Sequence, residues 1–479
     1  LVEEAYTFAA AQHDGQFRLS GEPYIDHPLH AALYLADLKQ DSATLAATLL
    51  HDVIEDCALS KEELEERFGI EVSRLVDGVT KLTRIDLISE DRLDEEISDS
   101  RAQAESIRKM LVAMAEDVRV VVIKLADRLH NMQTLRALPT KRRRAVAQET
   151  LDIYSPLAHR LGMWDVKWQL EDMAFRALNP EEYRDISRRL ATRRIEREAY
   201  LERQCQTLRT TLEAASIPAD LNGRPKSIYS IHQKIQKYSA QGKEYNEIYD
   251  LYAIRVLVNT NADCYNTLGV VHQLWHPVPG QFDDYIATPK ENMYQSLHTT
   301  VMCENGIPLE IQVRTFEMHN LAEYGVAAHW TYKEGAAKDG QFEEKMAWLR
   351  QLMEWQREVA GTDEFLESVK TDIFRDQVFV YTPKGEIREL PSGSTPIDFA
   401  YHIHTDLGHR CIGSKVNGRL MPLDTVLQNG DTVEVVTSKV ARGPSMDWLN
   451  SALGYVNTAS AHQKIRQWFR KLERSAHME

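Results

Sequence analysis

Cysteine is scarce in this chain: five residues in 479, at positions 57, 205, 264, 303 and 411, with no Cys-x-x-Cys pair. That spacing excludes a disulfide framework and offers no zinc finger, so a reducing cytoplasm is the simplest setting. Long hydrophobic runs are also missing. No apolar stretch approaches the roughly 18 residues of a membrane span, and no membrane partner is expected. Positive charge is in deficit, with 57 Lys and Arg against 72 Asp and Glu for a net charge of −15. Broad electrostatic binding to nucleic acid is therefore disfavoured, and any phosphate-rich substrate must be met by local cations or metals. No signal peptide, repeat or low-complexity tract is visible, and Leu1 in place of Met predicts a true N-terminus upstream.

What is present fills several domains, since the apolar fraction of 43% and charged fraction of 27% are those of an ordinary globular chain. The stretch from Asp41 to Asp56 is apolar-periodic and reads as one helix, with Asp41 or Ser42 as N-cap. It carries His51-Asp52-Val-Ile-Glu55-Asp56, in which each acid lies four residues after a ligand candidate. Upstream, Pro28 fits the first position of a helix and sets His27 at its mouth. Downstream, Lys124, Asp127, Asn131 and Thr134 form a polar stripe on an apolar helix. A lone His-Asp pair is usually an accident of composition. Two imidazoles with Asp52 and Asp127, however, suit a borderline divalent cation, manganese, iron or zinc, with positions left for water and substrate oxygens. This ordered set resembles the His-Asp (HD) phosphohydrolase superfamily.

Basic runs such as Lys141-Arg-Arg-Arg144 read as solvated helix faces. The helical period persists to about residue 195, breaks at 216–223, and gives way to alternating strands and helices until about 335. In this second region Lys226, Ser230 and Lys234 recur at i, i+4 and i+8 behind Gly223-Arg224-Pro225, a cradle for polyphosphate at a helix N-terminus. Tyr249-Asp250 opens a strand carrying one acid. Two further strands join through Asn305-Gly306, a hairpin signal. On the second, Glu310, Gln312 and Arg314 alternate with Leu309, Ile311 and Val313, so polar groups project from one face above an apolar one. Such alternation by itself is a solvated sheet face. Nearby Lys290, Asn292, Tyr294, Gln295 and His298 add a cation, a ring able to stack on a base, and polar groups, so a nucleotide with divalent cations suits this face. Further on, Gln377–Tyr381 and Glu386–Leu390 flank Pro383-Lys-Gly385 as a hairpin that opens a small third domain.

Taken together, His27, His51-Asp52-Val-Ile-Glu55-Asp56 and Asp127-Arg-Leu-His-Asn131, followed by Gly223 to Ser230, Tyr249-Asp250-Leu, Tyr294 to His298 and Glu310 to Arg314, resemble the long RelA/SpoT homologues. The likeness covers essentially the whole chain. It implies an all-α HD-type hydrolase domain, an α+β nucleotidyltransferase-like synthetase domain and a small β-grasp TGS domain. The expected bounds are 1–172 for the hydrolase, 196–335 for the synthetase and 372–438 for TGS. Helical linkers at 173–195 and 336–371 and the start of a helical region at 439–479 complete the division. The resemblance further implies an enzyme fragment ending after the TGS domain.

By that resemblance, His27, His51, Asp52 and Asp127 hold Mn2+ in a hydrolase that removes the 3′-pyrophosphate of (p)ppGpp. Glu55 and Asp56 are its catalytic acids, and Arg18, Ser20, Asn131 and Thr134 bind substrate. A second site transfers pyrophosphate from ATP to the 3′-hydroxyl of GDP or GTP. There Asp250 and Glu310 serve Mg2+ and catalysis, while Arg224, Lys226, Ser230, Lys234, Lys290, Asn292, Tyr294, Gln295, His298, Gln312 and Arg314 bind nucleotides. His402 and His404, which with His409 could suggest a metal, are instead implied to meet uncharged tRNA on the ribosome. A hydrolase with a merely regulatory synthetase domain, or a ribosome-binding stress factor with weak catalysis, is the alternative. Two places depart from the family: Arg18-Leu19-Ser20 stands where Arg-Lys-Ser is usual, and Gln281-Phe-Asp283-Asp284 follows the acidic Glu-x-Asp-Asp pattern of synthetase-only relatives rather than Arg-x-Lys-Asp.

Overall fold

The computed structural model describes residues 1–57, 59–90, 113, 116–192, 194–223, 227–240, 253–290, 292, 294–303, 306–327, 377–385, 387–438, 443–450 and 453–476. These fall into two compact units, one ending at 327 and the other starting at 377.

The first unit begins as packed helices: α1 (Val2–Gln12), α2 (Asp26–Asp37), α3 (Ser42–Leu50), α4 (Val53–Asp56), α5 (Lys61–Glu90) and α6 (Val118–Gln133). α6 is the axis of this layer. Asp117 caps it by accepting the Arg119 N–H at 3.0 Å, it packs on α2 and α5, and its Val121, Ile123, Leu125 and Leu129 are buried. Each such side chain contributes about 1.5–3 kcal/mol through burial. The single helix expected from Asp41 to Asp56 is two. Asp41 caps α3 at Thr44 N (2.7 Å), α3 stops at Leu50, and α4 restarts at Val53 after a turn at His51 and Asp52. The turn has a chemical consequence. Consecutive residues on a continuous helix diverge by about 100°, whereas here His51 Nε2 and Asp52 Oδ1 stand 3.1 Å apart.

Helices α7 (Thr140–Glu149), α8 (Ser155–Arg160), α9 (Trp164–Leu178), α10 (Pro180–Thr192) and α11 (Arg194–Ala214) lead into an α+β layer. The expected boundaries at 172 and 196 fall inside α9 and α11. The following elements are β1 (Ala219–Gly223), α12 (Ile228–Ala240), β2 (Ala253–Val258), α13 (Asn261–Leu274), β3 (His276–Asp284), β4 (Leu297–Met302), β5 (Pro308–Thr315) and α14 (Phe316–Tyr324). The sheet order is β1-β2-β5-β4-β3, with β2 and β5 parallel and the other pairs antiparallel. β3 holds the edge, where its Pro277 and Pro279 deprive no inner strand of a hydrogen bond. Leu309, Ile311 and Val313 enter the core with Ile254, Val256, Leu208 and Val271 as the alternation requires. The opposite face of β5 is not open, because Gln312 and Arg314 are buried as well.

α9 organises both layers. It packs on α6, α7 and α8 and on α12 and α14, and its Asp172 accepts the N–H groups of Ile228 (3.2 Å) and Tyr229 (2.9 Å) at the start of α12. The two layers meet tightly where Val326 N donates to Leu161 O (2.9 Å) and Gln40 donates to Ala327 O (2.7 Å). Gly325 (φ +55) is required there, since a Cβ would stand 2.0 Å from Leu161 O.

In the second unit, β6 (Gln377–Tyr381) and β7 (Ile387–Pro391) form the expected hairpin, with Gly385 at φ +82 in its turn. α15 (Pro396–Ile403) and the short α16 (Thr405–His409) follow. The strands β8 (Cys411–Val416), β9 (Arg419–Met421) and β10 (Val433–Thr437) form a second ladder in the order β10-β8-β9, and a parallel bridge between Tyr381 and Thr432 links it to the hairpin. A helix wrapped by such a sheet is the β-grasp pattern. The terminal helix α17 (Ala459–Ala476) packs on α15.

Candidate metal centre and nucleotide face

His27 lies in the first turn of α2, His51 and Asp52 at the turn between α3 and α4, and Asp127 midway along α6. His27 and His51 are 3% and 1% exposed, so His27 is not free at a helix mouth but turned inward. His27 Nε2 is 3.1 Å from Asp127 Oδ1 and 3.8 Å from Asp52 Oδ2; His51 Nε2 is 3.1 Å from Asp52 Oδ1 and 4.0 Å from Asp127 Oδ1. Among the described residues, His27, His51 and Asp52 each bring one ligand atom within 4.8 Å of the others.

The donor set fits a cation. His51 Nδ1 donates to Thr48 O at 2.7 Å, which leaves Nε2 with its lone pair aimed at carboxylate oxygens, buried and without a hydrogen bond among the described residues. Lone pairs facing carboxylates at this range repel unless a positive centre lies between them. Asp127 is held ionised: burial pushes its carboxyl up, but its neighbours, the Lys124 ammonium foremost, outweigh that and set it well below the usual range. Lys124 Nζ binds its Oδ2 (2.9 Å) and Asn131 donates to its Oδ1 (2.6 Å). Tyr24 donates to Asp52 Oδ2 (3.1 Å), and burial with the charges of Asp52 and Asp56 raises its pKa.

Of the expected acids, Glu55 is half-buried and Asp56 exposed on α4. Arg18 reaches α6, with Nη2 donating to Asn131 Oδ1 (2.6 Å) and Nη1 3.0 Å from His130 Nδ1. Ser20 binds Glu22 on the exposed loop, and Thr134 turns back on the carbonyls of His130 and Asn131. Sequence reasoning gave no role to Tyr24 or His130. His130 lies inside the Asp127–Asn131 motif and Tyr24 three residues before His27, but neither has a spacing that signals it. Burial, followed by neighbouring groups that include the Arg18 guanidinium, lowers the His130 pKa to about 3.

The sheet face forms a chain of contacts. Gln312 Nε2 donates to Glu310 Oε1 (2.9 Å), the same oxygen lies 3.3 Å from His298 Nδ1, and His298 Nε2 is 2.8 Å from the Tyr294 hydroxyl. Tyr294 is 7% exposed, with ring contacts to Trp164 of α9 and to Tyr285, and Lys290 Nζ sits 4.3 Å above the Tyr285 ring. Asn292 shapes the same loop, donating to His159 O (3.3 Å) and accepting the Tyr294 N–H. Arg314, 1% exposed, donates to Glu323 (2.9 Å) and meets His319 (2.7 Å). Gln295, Ser230 and Lys234 are half-buried, Ser230 bonding Ser227. Arg224, Lys226 and Asp250 lie outside the described residues. In the second unit His402 is exposed on α15, while His404 caps α16 by accepting the Asp406 N–H.

Three family patterns match this chain: an HD domain over residues 5–164, the region found in RelA / SpoT proteins over 223–337, and a TGS domain over 378–437. A GTP pyrophosphokinase of Streptomyces coelicolor is 51% identical over 496 residues, spanning 100% of this chain and 56% of that protein. The bifunctional (p)ppGpp synthase/hydrolase RelA of Mycobacterium tuberculosis is 49% identical over 487 residues, spanning 100% and 64%. A guanosine-3′,5′-bis(diphosphate) 3′-pyrophosphohydrolase of Aquifex aeolicus is 44% identical over 478 residues, spanning 100% and 66%. The chain spans about three-fifths of the length of the curated relatives it matches.

Proposed function

The chain belongs to the RelA/SpoT family, and from that premise we propose that it both makes and destroys (p)ppGpp, at two separate sites. The observation that carries the reading is the buried His27, His51, Asp52 and Asp127 cluster with its orphaned ring nitrogen, set in the same unit as a distinct acid-bearing sheet face.

At the helical site Mn2+ held by those four side chains would polarise the 3′-pyrophosphate and make water a better nucleophile. Glu55 and Asp56 position that water, and one of them takes its proton as the oxygen attacks the 3′-linked phosphorus; the P–O3′ bond breaks and the proton passes to the 3′-oxygen, giving GDP or GTP and pyrophosphate. Arg18 and Ser20 approach guanine and phosphate, while Asn131 and Thr134 hold the nucleoside. Tyr24 fixes one oxygen of Asp52. At the sheet the 3′-hydroxyl of GDP or GTP attacks the β-phosphorus of ATP and AMP leaves. Placement and charge neutralisation dominate such a step. Glu310 accepts the hydroxyl proton or, with Asp250, serves Mg2+; Arg224, Lys226, Ser230 and Lys234 hold phosphates. Tyr294 and His298 set the acceptor's position. The TGS unit, through His402 and His404, meets uncharged tRNA on the ribosome in the cytoplasm.

Nucleotide chromatography tests the reading. ATP, GDP and Mg2+ should yield AMP and ppGpp, and ppGpp with Mn2+ should yield GDP and pyrophosphate. Absence of the first product pair leaves a hydrolase with a regulatory sheet domain, and absence of both sinks the reading.

A further inference from the structure

The two histidines of the helical cluster are oriented by different means. Metal-ligating imidazoles generally donate their second ring N–H to a carboxylate, a carbonyl or water, which fixes the tautomer and aims the lone pair. His51 follows that pattern through the carbonyl of Thr48, a backbone group that no side-chain change can remove. Among the described residues, His27 has no such anchor. Its Nδ1 lies 2.8 Å from Nδ1 of His130, another buried imidazole.

Two nitrogens facing each other at that distance need one proton between them, and Arg18 decides where it sits. Arg18 Nη1 is 3.0 Å from the same His130 Nδ1, and a guanidinium can only donate. His130 Nδ1 is therefore an acceptor, its own proton is on Nε2, and the shared proton belongs to His27 Nδ1. In the neutral ring that a metal ligand must be, this leaves the lone pair of His27 on Nε2, on the side of Asp127 at 3.1 Å. The His130 ring is held for this role by stacking on His30, with centroids 5.0 Å apart and planes 20° from parallel.

We propose that His130 is a positioning residue for the cation: it accepts the Nδ1 proton of His27, sets that ligand's tautomer, and so determines how tightly the cluster binds a divalent metal. The inference rests on the reading of His27, His51, Asp52 and Asp127 as a metal site. Its chemistry predicts that any side chain offering an acceptor at this position will serve, and that an apolar one of similar size will not.

The experiment titrates Mn2+ alone, without nucleotide, into the full chain and reads free ion by electron paramagnetic resonance, with melting temperature recorded for each variant. His130→Leu should raise the Mn2+ dissociation constant by roughly 10–100-fold, the usual effect of losing an outer-sphere partner. His130→Gln, whose amide oxygen can accept from both His27 and Arg18, should restore most of the affinity. Equal weakening by Leu and Gln would mean that His130 acts only by packing, and parental affinity in the Leu variant would mean that it does not act on the metal; either overturns the proposal. His51→Ala is run in parallel. If it loses Mn2+ while His130→Leu keeps it, only the His130 inference fails. If His51→Ala also binds Mn2+ as the parent does, the metal site itself has been misread.

Discussion

The helical cluster and the sheet face both gather acids and imidazoles, yet they hold them in opposite ways. Around His27, His51, Asp52 and Asp127 almost every polar atom is buried and fastened by Thr48, Lys124, Asn131, Tyr24 or His130, so the geometry stands ready and the charges are screened little. Around Glu310 the contacts run in a line, Gln312 to Glu310 to His298 to Tyr294, and end on a loop that touches α9 through Tyr294 and α8 through Asn292. A closed cage suits a cation that must be held through many turnovers. A line of contacts tied to a neighbouring helix suits a site whose arrangement depends on that neighbour.

The largest effect should come from breaking each arrangement in turn. Asp52→Ala or His51→Ala should cut ppGpp hydrolysis by roughly 10³-fold or more, equivalent to about 4 kcal/mol of transition-state stabilisation, and leave synthesis intact. Glu310→Gln should remove synthesis and spare hydrolysis. Both activities are read on the same preparations by nucleotide chromatography. Equal loss of both in either variant would point to misfolding and erase the distinction.

The helical half was more legible than the sheet half. Spacing on α6 placed Lys124, Asp127 and Asn131 on one stripe, and they do meet. Period alone could not show that the chain turns at His51 and Asp52, because a two-residue break disturbs the apolar pattern too little. Alternation placed Leu309, Ile311 and Val313 correctly, but it could not tell a solvated polar face from a covered one. Arg314 and Gln312 are buried because α14 and the neighbouring strands bring partners that no local pattern encodes. His130 carries no local sequence signal because a tautomer is fixed by contacts 103 and 112 residues away in sequence.

A smaller effect tests whether the two regions communicate. Gly162 and Gly325 bring the layers into contact, and Lys290, Asn292 and Tyr294 sit beside His159 and Trp164. We expect the sites to oppose one another, an ATP analogue with GDP weakening ppGpp binding at the hydrolase at least about fivefold, with the reverse effect equal by linkage. Gly325→Ala, whose new Cβ would meet Leu161 O, should cost about 1–3 kcal/mol in stability and reduce that factor. Independent affinities in the parent would show that the regions merely share a fold.

The same junction should carry a pH signature. Burial, followed by the charges of Lys167 and Lys290, lowers the His159 pKa from 6.5 to about 3. The folded chain thus keeps this ring neutral where the unfolded chain protonates it. Its contribution is full above pH 6.5 and is lost as pH falls toward 3. His159→Phe should flatten the decline in melting temperature between those values. A parallel decline in parent and variant would assign the acid sensitivity to other groups.

The smallest expected change lies at the exposed edge of the sheet, where Gln281 and Asp283 project from β3. Bifunctional relatives are expected to carry Arg and Lys there, so this edge is more negative by three charges, one at Gln281 and two at Asp283. A polyphosphate approaching it would then need magnesium where relatives use protein cations. Screening limits the effect, since the Debye length is about 8 Å at physiological ionic strength; a shift of a fewfold is expected, not a loss of activity. Gln281→Arg with Asp283→Lys should lower the Mg2+ concentration for half-maximal synthesis and alter the preference between GDP and GTP. The decisive measurement is a Mg2+ titration with each acceptor, repeated at high salt, where the difference should shrink. Superimposable curves for parent and variant at low salt would mean that the β3 edge only solvates the sheet, and that nucleotide handling is confined to the Glu310 line.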